Sequence, residues 1–124
     1  MRRSVAATAS YTVQFGPAPK PEPEPHGRVP RVARTLALAH HVERKIRDGE
    51  LRDLAHAAEV LDLTRARVTQ ITNLLLLAPE IQEAVLNLPL VTNGRDPVTE
   101  RQLRPITAEP DWNKQLSMWR QINV

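Results

Sequence analysis

The sequence predicts an all-α protein, a small helical bundle behind a Pro-rich N-terminal tail. Three observations carry this. The chain has 124 residues, 41% hydrophobic and 25% charged, the balance of one globular domain. Aromatic residues make up only 3%, so the core must come from Leu, Val, Ile and Ala, which suits helices and is poor for a β-sandwich. From residue 30 onward, apolar positions recur at helical spacing, and caps and prolines cut the pattern into short lengths.

Residues 1–29 read as the tail and residues 30–124 as the domain. Six of the 11 prolines fall within the first 30 residues, and "GPAPKPEPEPHG" alternates proline with other residues. Such a run favours polyproline II and acts as a semi-rigid spacer. It lacks a clear PxxP with basic flanks, which argues against an SH3-type ligand. Before it, "YTVQF" alternates Tyr11, Val13 and Phe15, the pattern of a short strand or a partner-docking segment. The chain offers no second strand, so a pairing strand would come from another chain.

The first helix is expected over residues 30–47. Pro30 suits its first turn and Gly49 its stop. Val32, Leu36, Ala39, Val42 and Ile46 make one apolar face, and Arg34, His41, Arg44, Lys45 and Arg47 lie elsewhere. His40 and His41 point apart on a helix and no third ligand is spaced for them, so they read as solvated surface. A second helix is expected over residues 51–60 and a third over residues 65–77, with Thr64 as its N-cap. Pro79 breaks the third and opens a fourth, "PEIQEAVLNL", with Glu80 and Glu83 near its N-terminus. "LPLVTNGRDP" is a loop rich in turn residues. Thr99 and Gln102 form a capping box for a short helix over residues 100–104, which Pro105 is expected to end. A last helix begins near Pro110, with Trp112, Leu116 and Trp119 on one stripe that covers the core or binds a partner.

Charge is segmental. The net charge is +3 and the sequence pI about 9.9. Residues 31–48 hold five Lys/Arg and two acids, residues 49–63 hold four acids and one Arg, and residues 64–78 hold two Arg and no acid. With no cysteine, disulfides, thiolate catalysis and Cys-based zinc sites are excluded. No apolar run approaches the ~20 residues of a membrane span, and "MRRSVAATAS" lacks the apolar stretch of a signal peptide. The expectation is a cytoplasmic protein with no membrane association.

The stretch "DLTRARVTQITNLLLLAPEIQEAV" fits a helix-turn-helix template started at Leu54. A small residue, Ala58, stands where the two helices cross. Asp62 stands at the turn, where glycine is usual and Asp tolerable. Leu63 is apolar at the next position, and Val68 and Ile71 lock the second helix on the first, with Leu61 and Leu75 extending that core. Opposite the apolar side lie Ala66, Thr69, Gln70 and Asn73, flanked by Arg65 and Arg67. In such a motif the start of the second helix enters the major groove. Arg grips guanine O6/N7, Gln or Asn grips adenine N6/N7, Ala66 suits a thymine methyl, and Thr64 and Thr69 suit phosphate or a base. The face carries no acid to repel phosphate. Arg31, Arg34, Arg44, Arg101 and Arg104 are the candidate phosphate contacts. The expected function is sequence-specific binding of double-stranded DNA.

"RARVTQITNLLLLAPEIQEAVLN" and "VTERQLRPI" resemble the DNA-binding core of ParB-type partition proteins and their KorB-like repressor relatives, over roughly residues 50–106. The resemblance implies an all-helical domain acting on inverted repeats, usually as a homodimer. The arginine-rich boxes of the ParB nucleotide-binding domain have no counterpart upstream, so no CTP binding, clamp or spreading is expected. Nor is the family's C-terminal dimerisation domain found; the Trp helix is its one stand-in. A regulator, or an accessory factor of a bacterial or mobile element, fits. No nucleophile, Gly-rich loop or His/Glu metal cluster is spaced for catalysis, so neither an enzyme nor a cofactor is expected. The competing reading is an adaptor in which the Trp stripe and "YTVQF" bind a partner protein and the third helix is merely solvated.

Overall fold

The computed structural model describes residues 27–122, and within them the protein is an all-α small helical bundle. Its helices are α1 (Arg31–Arg47), α2 (Leu54–Leu61), α3 (Arg65–Thr72), α4 (Pro79–Leu86), α5 (Glu100–Thr107) and α6 (Trp112–Ile122), with a 3-10 turn over Asn73–Leu76. The tail motifs, "YTVQF" and the alternating prolines, lie outside the described residues.

α1 is the rod on which two core clusters are mounted. Val32 and Leu36 enter the larger one, with Leu74, Leu77, Ile81, Val85, Leu103, Ile106 and Trp119. Val42 enters the smaller one, with Ala57, Ala58 and Val68, and Leu38 and Ile46 pack against it. The first cluster joins α1 to α4, α5 and α6. The second fastens α2 and α3 to the C-terminal half of α1. The expected apolar face of α1 is therefore shared between the bundle and the α2–α3 unit.

The start of α1 has no side-chain cap of its own. Asp96 supplies one from the α4–α5 loop, where Oδ2 accepts the Arg31 backbone N–H at 3.0 Å and Oδ1 pairs with Arg28. Arg28 also exchanges both backbone hydrogen bonds with Val91, at 3.0 and 2.8 Å. Gly27 lies so close to that loop that a β-carbon there would come within 2.9 Å of Leu90 Cβ. Gly27 and Arg28 thus pack against the α4–α5 loop of the same chain.

Three helices differ from their expected limits by three residues or more. α2 starts at Leu54 because Asp53 Oδ1 accepts the His56 N–H at 2.8 Å and caps it there. The third helix turns to 3-10 at Asn73, which stacks Leu74 and Leu77 on the buried side, and Leu77 and Ala78 are extended before Pro79. Pro105 does not end α5, which runs on to Thr107. Continuing the helix places Ile106 beside Leu103 in the core, and that burial offsets the single backbone bond that proline cannot make.

The Trp stripe divides. Trp119 is buried and Leu116 packs partly against the core, whereas Trp112 is 54% exposed. The interior position of α6 falls to Gln115, which is fully buried. Its Oε1 accepts the Ala78 N–H at 2.7 Å, and its Nε2 donates to Leu76 O at 3.2 Å and Glu109 O at 2.7 Å. Gln82 closes the same turn from α4, donating to Leu75 O at 3.1 Å and Leu77 O at 2.8 Å. His40 is half-buried and bonds Gln82 Oε1 at 2.8 Å, so it is a structural contact and not solvated surface. Two glutamine side chains therefore satisfy the carbonyls that the break before Pro79 sets free.

Candidate nucleic-acid interface

α2 ends at Asp62, whose φ of 57° and ψ of 47° put it in the left-handed region. Asp tolerates that region better than most residues with a β-carbon. Ala58 is buried where α2 meets α3, and Val68 and Ile71 are buried beneath α3. Thr64 Oγ1 accepts the Arg67 N–H at 3.0 Å and starts α3. Leu63 departs from the template, being 38% exposed; its N–H bonds Ala58 O at 2.9 Å, which closes the turn through the backbone instead of through side-chain burial. Leu61 extends the smaller cluster as expected, while Leu75 packs against the larger one.

Five residues of the expected reading face, Arg65, Ala66, Thr69, Gln70 and Asn73, are exposed. Thr64 is exposed too, with its hydroxyl engaged as the cap. Arg67 is the exception. Its guanidinium is held in a two-pronged pair by Glu100 of α5, Nη1 to Oε2 at 2.7 Å and Nη2 to Oε1 at 2.9 Å. Arg67 is therefore an anchor between α3 and α5 as much as a free contact. The same pair brings a carboxylate to the edge of the face, which the acid-free count along the helix could not show. Hydrogen bonding from Arg67 holds the Glu100 carboxyl below its ordinary range against the opposing effect of burial, and Arg104 adds to the lowering.

Beside this face lies an open groove of about 560 Å³, bounded by the start of α1, the loop at residues 94–96 and the start of α5. Arg28, Arg31, Arg67, Arg95 and Arg101 line it, with Thr35 and Thr99. Its two acids are already engaged: Asp96 by Arg28 and the Arg31 backbone, Glu100 by Arg67 and Arg104. The Asp96 carboxyl is held below its ordinary range, chiefly by the Arg31 N–H. Arg31, Arg95 and Arg101 make no side-chain ion pair among the described residues. The groove is therefore cationic, and Arg67 joins it to the face of α3.

Of the expected phosphate contacts, Arg31 and Arg101 meet in this groove. Arg34 and Arg44 are exposed elsewhere on α1. Arg104 lies on the other side, lining a smaller groove of about 340 Å³ with Gln70, Asn73 and Thr107. Arg28 and Arg95 escaped sequence reasoning because one precedes the first helix and the other sits in a turn. Their only mark is that Arg95 adjoins Asp96, and the fold alone brings Arg28 there. Among the described residues no group of three or more His, Asp or Glu is placed to hold a metal, and no helix is long and apolar enough to cross a membrane.

No family model matches the chain, and neither a curated protein nor a solved structure matches it.

Proposed function

We propose that the protein binds double-stranded DNA sequence-specifically, with α2, its turn and α3 acting as a helix-turn-helix. The observation that carries this reading is the continuity of two surfaces. α3 and the 3-10 turn after it expose Arg65, Ala66, Thr69, Gln70 and Asn73 away from the buried Val68 and Ile71, and that face runs through Arg67 into the arginine groove. Groove-reading side chains beside a cationic rim are what a duplex requires: base edges for the helix, phosphates for the arginines. The left-handed turn at Asp62 and the close crossing at Ala58 favour the same docking. In this reading the chain is a binding module and not an enzyme. It acts as a regulator or an accessory factor of a bacterial or mobile element, akin to the DNA-binding core of ParB and KorB proteins.

Selection of binding sites from a randomised duplex pool at physiological salt tests it. Enrichment of a motif is the expected result, and an inverted repeat with half-sites about one helical turn apart would indicate a homodimer on the DNA. Retention without enrichment would sink sequence-specific reading and leave only the charge-driven binding of a basic protein.

One observation favours a second reading, an adaptor for a partner protein. Trp112 at the start of α6 and Leu76 at the end of the 3-10 turn are both more than half exposed. A solution mass that falls from dimer to monomer on Trp112→Ala would assign Trp112 to self-association.

A further inference from the structure

This inference rests on the DNA-reading proposed above and concerns how one side chain of the reading face is set. We infer that Glu100, on α5, is a positioning residue for base recognition: through Arg67 it occupies the carbonyl of Gln70 and leaves that glutamine its amide N–H groups as free donors.

The chain of contacts is short. Glu100 grips Arg67 with both carboxylate oxygens, at 2.7 and 2.9 Å, which fixes the plane of the guanidinium. Arg67 Nη1 also donates to Gln70 Oε1 at 3.2 Å. Because a guanidinium only donates, the glutamine must turn its oxygen toward it. Gln70 Nε2 makes no hydrogen bond to another described residue. The Glu100 side chain is 14% exposed and that of Arg67 36%, so the pair is partly shielded from water.

The consequence lies in the base code. A free glutamine grips adenine with both ends, its oxygen accepting from N6 and its nitrogen donating to N7. With the oxygen engaged by a cation, that two-ended grip is weakened. What remains is a donor, which suits an edge that presents acceptors alone, guanine O6 and N7 or thymine O4. Gln70 viewed as an isolated helix residue reads as an adenine contact; Glu100, thirty residues further along the chain, reverses that preference.

Site selection with four proteins tests this: wild type, Gln70→Ala, Glu100→Gln and Arg67→Met. Gln70→Ala marks the base position that Gln70 reads, as the one whose preference it erases. At that position the wild type should select guanine or thymine. Both Glu100→Gln and Arg67→Met should raise adenine there about tenfold relative to wild type. Should Glu100→Gln fail to fold, Arg67→Met carries the same comparison. An unchanged motif in the folded variants, with affinity lowered for all sites alike, would reduce Glu100 to a purely structural role and overturn the inference. So would adenine at that position in the wild type. A wild type that selects no motif overturns the DNA-reading itself, and this inference with it.

Discussion

Gln115 shows how much a single buried polar side chain can decide. It satisfies the Ala78 N–H and the Leu76 carbonyl at the turn before α4, and the Glu109 carbonyl ahead of α6. Gln115→Ala would strip these groups of their partner, at about 1–3 kcal/mol for each one that water does not reach. The expected loss of about 3 kcal/mol or more is read from the urea midpoint at unchanged slope. The two tryptophans form a contrasting pair on one helix. Trp119→Ala opens the larger core and should cost about 3–5 kcal/mol. Trp112→Ala, at an exposed position, should stay within about 0.5 kcal/mol. Equal losses in thermal or urea unfolding would contradict the division of the stripe.

Among the elements, the junction of α3 and α5 is sensitive to pH. Glu100 has its pKa held below the ordinary 4.5 in the folded protein. The unfolded chain therefore takes up the proton first on acidification. The contribution of the pair is complete above about pH 4.5 and is lost as pH falls further, through the folded-state value. Near neutrality Glu100→Gln should cost about 1.5–3 kcal/mol, the range of a hydrogen bond to a charged group. Urea midpoints of variant and wild type should draw together as pH falls below about 4.5. Asp96 loses its pairing in the same direction in both proteins, so the difference between them isolates Glu100. A gap that did not shrink would mean that the carboxyl stabilises the junction by packing and not by charge.

For the whole molecule the arginine groove is the testable feature. If phosphates occupy it, Arg31→Ala, Arg95→Ala and Arg101→Ala should each flatten the dependence of log affinity on log salt by about 0.9, one phosphate contact apiece. The selected motif should stay the same, because phosphate contacts carry no sequence information directly. Arg34→Ala and Arg44→Ala, outside the groove, should leave the slope unchanged. Salt titrations of the five variants on one duplex decide this. A flattened slope at Arg34 or Arg44, with none at Arg95, would place the duplex on a different face of α1.

Much of the fold was legible from local chemistry. The helical spacing of Val32, Leu36, Ala39 and Val42, the caps at Thr64 and Thr99, the stop at Gly49 and the turn at Asp62 depend on residues within one or two turns of each other. The exposed face of α3 follows from the same periodicity, since burying Val68 and Ile71 turns Gln70 and Asn73 outward. Tertiary structure decided everything carried by contacts between distant residues. Glu100 reaches Arg67 across 33 positions, Gln115 reaches Ala78 across 37, and Asp96 reaches Arg31 across 65. No spacing rule announces such partners, because the backbone separation that joins them is set by how α1, α5 and α6 pack. The same cause explains Trp112, His40 and Pro105: local propensity is a fraction of a kilocalorie per residue for most side chains, and even the roughly 3 kcal/mol of a proline inside a helix can be outweighed by core burial. Burying Ile106, leaving Trp112 out and bonding His40 to Gln82 are decided by the larger energies of the assembled core.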